Sequence, residues 1–403
     1  MKLLRRILFW AHLAAGLTAA VVVAIMSITG VALMYQRQMQ LWADRGDWRP
    51  PPVETPRLSA DALIARVCDQ QPGATVTTIT IRAERAQLAT AALTGGTSPS
   101  VLVDPYTGAI VPPGPRAAPM RAFFSIMTSW HRYVAMSGDS RATGRAITGA
   151  SNLLFLFLVL SGFYLWWPRN LTWAAVRNVA MFRRVSGKAR DFNWHNVIGF
   201  WSAIPLAIVV ASGSVISYPW ASNLVYRVAG ENPPAPAAPA PSRPTSPSQP
   251  SSPSPVTDPS PLGSPSPVSS PSPTSLDLAV SRSAALVPDW TSFAIRVPAT
   301  DRAPVVVTVD QGDGGQPQKR GTLTLDRVSG EMVKWESFES QSRGRRWRSI
   351  MRFAHTGEVL GLTGQTIAGL VSAGAVVLVY SGIALSLRRF GAWIRRRKRV
   401  SVP

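Results

Sequence analysis

Four stretches of the chain are apolar over lengths that few soluble elements need: residues 9–34, 147–167 (with the run LLFLFLVLSGFYLWW), 197–218 and 367–387. A hydrocarbon core of about 30 Å is crossed by about 20 apolar residues in a helix. A helix satisfies its own backbone polar groups within one segment, as a lipid-embedded chain requires. The pattern predicts four transmembrane helices. The first follows Lys2, Arg5 and Arg6, as a signal peptide would. Its apolar stretch is too long for a signal core and no small-residue cleavage site closes it, so it is read as retained.

Between these stretches the periodicity changes. After helix one a helical pattern, LSADALIARVCDQ, begins behind a capping Ser. Strand-like runs TVTTITIRA, AQLATAAL and VLVDPYTGAIV follow. After helix three the series recurs as LDLAVSRSAALVPD, TSFAIRVP, APVVVTVD and GTLTLDRVSGEMVKWESF. Asp104 to Gly108 and Asp326 to Gly330 are matching turn signals, with Asp opening a tight hairpin and Gly at its positive-φ position. The fold class expected is an α-helical membrane protein: a four-transmembrane-helix bundle with two small outer α+β domains. Residues 231–275, mainly Pro, Ser and Ala, cannot bury a core and read as a spacer.

Charge orients the bundle. Lys2, Arg5 and Arg6 precede helix one. Arg169, Arg177, Arg183, Arg184, Lys188 and Arg190 lie between helices two and three. Arg388, Arg389, Arg395, Arg396, Arg397, Lys398 and Arg399 follow helix four. The positive-inside rule places all three tracts, and both termini, in the cytoplasm. The net charge of +21 is then a topology signal. Nucleic-acid binding is not expected, because the basic tracts hug helix ends. The map is helix one (1–36), an outer domain (37–120), an interfacial helix with helix two (121–167) and a cytoplasmic loop (168–193). It continues with helix three (194–219), a Pro/Ser-rich linker (220–275), a second outer domain (276–342), an interfacial helix with helix four (343–388) and a basic tail (389–403).

Only four histidines occur, His12, His131, His195 and His355, each at or near the start of an apolar segment. Topology pairs His12 with His195 at the inner face and His131 with His355 at the outer face. Two facing pairs are what two bis-imidazole haems need. His12 is followed by Gly16 and then Thr29-Gly30; His195 is followed at the same offsets by Gly199 and Ser212-Gly213. Positions i and i+4 share a helix face, so Gly16 and Gly199 would leave room for a flat macrocycle. Eighteen residues span about 27 Å, which brings Gly30 and Gly213 level with the outer histidines. Gly162 and Gly382 fall level with the inner ones. Small residues for close helix packing are the plainer reading of these glycines. Interfacial histidines, or a metal or proton pathway, are the rivals to haem, although a pathway calls for intramembrane acids and the helix cores have none. SGDSRATG after His131 and TGEVLGLTG after His355 predict breaks behind short interfacial helices, FFSIMTSWHRY and WRSIMRFAH. The outer site is therefore expected to be the more exposed. Cys68 is the sole cysteine, which excludes an internal disulfide, a Cys-x-x-Cys-His haem attachment and a thiolate-held cluster.

FWAHLAAG, SWHRYVAMSGDSRATGR, SGFYLWWPR, NWHNVIGFW, FAHTGEVLG and the two D-x-x-[ST]-G hairpins together resemble the PepSY-associated transmembrane family, which includes iron-regulated membrane proteins and siderophore-iron reductases. The resemblance covers nearly the whole chain except the Pro/Ser spacer. It implies a bacterial inner-membrane location, periplasmic PepSY-type domains, two b-type haems on His12, His195, His131 and His355, and reduction of a ferric siderophore or other ferric chelate. The loop 168–193 is too short for a nucleotide-binding domain, so the donor expected is quinol or a separate reductase. Arg343, Arg345, Arg346 and Arg348 could attract an anionic chelate or face lipid. The reading from another class is a non-redox anchored protein whose outer domains bind a protease or envelope factor.

Overall fold

The computed structural model describes residues 2–96, 98–167, 172–235, 275–300 and 302–400. Most of the spacer, 236–274, lies outside them, as do residues 168–171 of the inner loop.

The chain begins with α1 (Lys2–Leu33) and a short α2 (Gln36–Arg45). Then come α3 (Ala60–Gln70) and strands β1 (Thr75–Arg82), β2 (Ala89–Thr94), β3 (Ser100–Val103) and β4 (Ile110–Val111). It returns through α4 (Ala117–Tyr133), a 3₁₀ turn and α5 (Arg141–Trp166). After α6 (Trp173–Ala180) the same series runs again: α7 (Gly187–Ser217), α8 (Pro219–Val228), α9 (Leu276–Leu286), β5 (Ser292–Arg296), β6 (Val305–Asp310), β7 (Arg320–Leu325) and β8 (Met332–Glu336). It ends with α10 (Arg343–Thr356), a 3₁₀ turn and α11 (Gly361–Val400). The molecule is a structural repeat, with α6 as its joint.

Four segments are long and apolar enough to cross a membrane: Leu3–Leu33, Gly138–Trp166, Gly187–Ser217 and Glu358–Arg397. The chain is a multi-pass membrane protein. α1 packs on α5 and α11, and α7 packs on the same two, so α1 and α7 take opposite corners of a closed bundle. Leu206 and Val210 of α7 meet Val371 and Ala375 of α11 in its core. Ser27, Ser151, Ser202 and Ser214 are buried; in lipid such small residues let helices approach closely.

The two outer segments each fold as a helix with four strands, and they join. β1 pairs antiparallel with β5, Ile79 opposite Ile295, which makes one sheet in the order β4-β3-β2-β1-β5-β6-β7-β8. Alternation places Ile79, Ala91, Phe293, Ile295, Val307 and Leu323 on one face, where Leu63 and Val67 of α3 and Leu276 and Ala279 of α9 close a common core. Each fully buried Leu, Ile or Val is worth about 1.5–3 kcal/mol, so this shared core fixes the halves together. Ser59 caps α3 and Ser275 caps α9, each accepting from a backbone N–H within its own first turn.

Two boundaries differ from the sequence expectation. The region read as a linker from 220 opens with α8, whose Pro219 suits a first helical turn and which packs on α7 and α10. The inner loop contains α6 and yields to α7 already at Gly187. Here local amphipathic patterns extend structure beyond the hydrocarbon-length stretch that defined the sequence boundaries.

Candidate functional site

Both helices that carry the outer histidines stop just behind them. Val134 takes the left-handed conformation after α4, and Gly357 does so after α10. A 3₁₀ turn then redirects the chain into α5 or α11. The breaks expected after His131 and His355 are therefore present. They turn α4 against α1 and α10 against α7, which carries both imidazoles back over the bundle instead of away from it.

Each of the four imidazoles rests in the same kind of notch on a neighbouring membrane helix. His12 Nδ1 is 2.9 Å from Ser161 Oγ, and its Cε1 is 3.2 Å from where a Cβ on Gly162 would stand. His195 Nδ1 is 3.0 Å from Ser381 Oγ, with Cε1 3.6 Å from the Cβ position of Gly382. His131 Nδ1 lies 3.0 Å from both Thr29 Oγ1 and Met26 O, beside Gly30 at 3.6 Å. His355 Nδ1 lies 2.8 Å from Val209 O, beside Gly213 at 3.1 Å. In three of the four a Ser/Thr-Gly dipeptide supplies the polar partner, at His355 the Val209 carbonyl does, and in all four the glycine's missing Cβ leaves the space for a ring.

The partners fix the tautomer. A carbonyl only accepts, so Nδ1 of His131 and His355 carries the proton. Ser161 Oγ already donates to Phe157 O at 2.6 Å and Ser381 Oγ to Val377 O at 2.8 Å. Each has one hydrogen, so each accepts from its imidazole. All four rings are held as Nδ1–H donors, which leaves Nε2 as the nitrogen that could ligate a metal. This is the arrangement of metal-bound histidine, whose second nitrogen is oriented by a hydrogen bond. Burial, and then the neighbouring His355, push His131 down to about 4. Burial lowers His355 as well. The outer pair is neutral at ordinary pH.

The rings of His131 and His355 face at 6.1 Å between centres, tilted by 57°. Metal–imidazole bonds of about 2.0 Å, plus about 1.1 Å from each nitrogen to its ring centre, set two imidazoles on one metal about 6 Å apart. The spacing of the outer pair matches that value. His12 rests on α5 and His195 on α11, the two helices that lie between α1 and α7. Among the described residues no group of three or more His, Cys, Asp or Glu could hold a metal ion.

Ten site residues were expected from the sequence. The four histidines and Gly30, Gly162, Gly213 and Gly382 come together as described. Gly16 and Gly199 come to leucines instead, Leu158 and Leu378, each 3.7 Å from the Cβ position. All four histidines are half-buried and none is exposed, so the outer pair is not the more exposed one. The reason is the tucking of α4 and α10 onto the bundle. The turn between β6 and β7 also reaches the bundle, through Gln318 Nε2 on Val359 O at 2.8 Å.

A family model for the PepSY-associated TM region matches residues 9–398. The chain belongs to this PepSY-associated transmembrane family. Search of the curated proteins finds no match.

In this family member several residues around the site escaped the sequence reading. Asp191, one turn before His195, is buried and pairs with Arg388 at 2.8 Å and Arg190 at 3.0 Å. Its signal was being the lone acid among the basic residues of the inner loop. Asn152 is buried and donates to Val210 O and Ser214 Oγ, both at 2.9 Å. Asn193, also buried, accepts from Arg183 N–H at 3.0 Å and donates to Met181 O at 3.1 Å. The carbonyls of Met26 and Val209 carry no signal in a sequence, because every residue has one.

Proposed function

We propose that this protein binds two haems b, one at His12/His195 and one at His131/His355, and moves electrons across a bacterial inner membrane to a ferric siderophore or other ferric chelate in the periplasm. The observation that carries the reading is the fourfold repetition of an Nδ1-anchored imidazole in a glycine notch. One interfacial histidine needs no explanation; four in the same setting, grouped in two pairs, do.

Bound haem supplies reversible one-electron Fe(III)/Fe(II) chemistry. The chain's own part is to hold and to insulate. The Nδ1 hydrogen bonds orient each ring and raise its basicity. Between the two levels the bundle packs apolar side chains, Leu206 and Val210 against Val371 and Ala375. The sheet domain stands at the end of the bundle where the acceptor would be met. Reduction of ferric iron to Fe(II) weakens its hold on hard oxygen ligands and releases it. Arg345 is partly engaged by Glu336 at 3.3 Å and Arg348 donates to Ser222 Oγ at 2.7 Å. Glycine-lined imidazoles also separate this reading from nucleic-acid binding, for which the basic helix ends offer only lipid-facing charge.

The test is reduction in proteoliposomes. With reductant sealed inside and a ferric chelate with an Fe(II) indicator outside, Fe(II) should form with wild-type protein and stop with His355→Ala. Equal rates in both would refute the reading.

The anchored-binding reading keeps one observation in its favour. β8 is a sheet edge, and its Met332 and Val333 are 55% and 65% exposed. Such an edge can take a partner's strand.

A further inference from the structure

We infer that a cavity beside α6 binds the ring of a membrane quinol and is where electrons enter; the inference rests on the electron-transfer function proposed above. The cavity holds about 330 Å³ and is lined by Trp173, Ala174, Arg177, Met181, Phe182 and Arg183. That volume lies at the small end of small-molecule sites, which run about 300–1,000 Å³.

Its place and its lining select the occupant. The cavity's lining lies wholly on α6 and the turn after it, the segment that joins the membrane-crossing helices α5 and α7, where a lipid-borne molecule would arrive. Trp173, Met181 and Phe182 offer apolar walls and are 71%, 48% and 62% exposed. Arg177 and Arg183 offer donors for ring oxygens. Among the described residues that line it there is no carboxylate to repel an electron-rich oxygen.

Its wall is tied to the inner histidines. Trp166 Nε1 donates to Val179 O at 3.4 Å, Trp201 Nε1 to Ala180 O at 2.9 Å and Asn193 Nδ2 to Met181 O at 3.1 Å. Three side chains of α5 and α7 thus satisfy consecutive carbonyls at the end of α6, groups that a helix end otherwise leaves unpaired. Trp166 stacks on Phe200 at 4.3 Å and 14°, and on Phe163 at 6.0 Å and 16°. Phe163 directly follows the Gly162 against which His12 rests, and Asn193 lies two residues before His195. A stacked aromatic cluster, Phe163, Trp166 and Phe200, therefore stands where α6 is tied to α5 and α7, the helices that carry Gly162 and His195.

The chemistry balances. A hydroquinone loses two O–H bonds and becomes the quinone. Two protons leave to water at the basic end of the bundle. Two electrons leave one at a time and convert two ferric acceptors to two Fe(II). Trp173, Phe182, Arg177 and Arg183 bind and orient the ring; none of them is oxidised or reduced in the net reaction.

The experiment is photolabelling of the full chain in lipid nanodiscs with an azidoquinone, followed by peptide mapping. The label should fall within residues 173–183 and be displaced by excess decylubiquinone. Arg177→Ala with Phe182→Ala should weaken that displacement about tenfold or more, the size expected for losing a hydrogen bond to a charged group. Label on other segments, or displacement by phosphatidylglycerol as well as by decylubiquinone, overturns the inference; the latter makes the cavity an anionic-lipid site. Haem content is measured on the same sample. Two haems without the label refute the quinol site alone, whereas the label without haem refutes the electron-transfer function and keeps only the ring site.

Discussion

The first and second halves of the chain carry the same elements in the same order, and they hold them together differently. At the basic end, Arg5 of α1 donates to Leu165 O and Trp167 O at the end of α5. In the second half a buried carboxylate, Asp191, clasps Arg388 of α11. Beside the outer notches, Asn152 Oδ1 stands 3.1 Å from the Cβ position of Gly213, whereas Gly30 has Ser372 Oγ at 3.7 Å. α4 is tied to α2 by Arg121 and Asp44, while α10 is capped by Glu231, which accepts from Ser342 Oγ at 2.7 Å and Gly344 N–H at 3.0 Å. What both halves retain is the imidazole on its Ser/Thr-Gly notch. The clasps serve packing and have several solutions. The notch meets two demands at once, a donor's partner and room for a ring, and has few.

Four kinds of substitution would break or sharpen that contrast. Removing a ligand should have the largest effect. His12→Ala and His195→Ala are each expected to lose the same haem, and His131→Ala and His355→Ala the other, so each single variant keeps one haem per chain by pyridine haemochrome. Pairing across the levels, such as His12 with His131, would overturn the assignment. Filling a notch should come next. Gly213→Val or Gly162→Val puts carbon about 3.1–3.2 Å from an imidazole and should cost the haem at that level while leaving the other band intact. Gly16→Ala, against Leu158 at ordinary contact distance, should leave both.

Opening a clasp should change stability more than haem content. Asp191→Ala strands Arg388, and a buried pair broken this way costs about 3–5 kcal/mol. Arg388 is 41% exposed, so solvent screening brings the expected loss down to about 1–3 kcal/mol, read as a lower melting temperature with the haem spectrum retained. Loss of the inner haem with unchanged melting would make Asp191 part of the site. The smallest effect belongs to Glu231. The Ser342 hydroxyl and the first N–H groups of α10 hold its carboxyl below the ordinary value of 4.5. A carboxylate depressed by folding gives its stabilisation above its ordinary pKa and loses it as pH falls through the lower folded value. Acid unfolding should therefore begin at slightly higher pH in wild type than in Glu231→Gln when each is referred to its own neutral-pH stability. Identical acid profiles would show that the cap contributes nothing.

Much of this was legible in the sequence because lipid imposes strong rules. Length and hydropathy alone find the four spans, and the scarcity of histidine makes His12, His131, His195 and His355 stand out. The repeated offset from histidine to Ser/Thr-Gly locates the notches one helix away from the rings they receive. The pairing of β1 with β5 was not legible, since it joins residues more than 200 positions apart and edge strands carry no mark of their partners. Asp191 and Asn193 were hidden for a related reason: their partners are Arg388 and the main chain of the 181–183 segment, and contacts of that kind have no period. Gly16 and Gly199 show the converse, a spacing that repeats because Leu158 and Leu378 repeat.

The most direct measurement is the haem-to-chain ratio of the purified full-length protein, made with haem available, together with a reduced-minus-oxidised visible spectrum. A b-type spectrum with about two haems per chain is the expected result. A colourless protein would contradict the paired-histidine account and leave the uncovered edge of β8 as the better starting point.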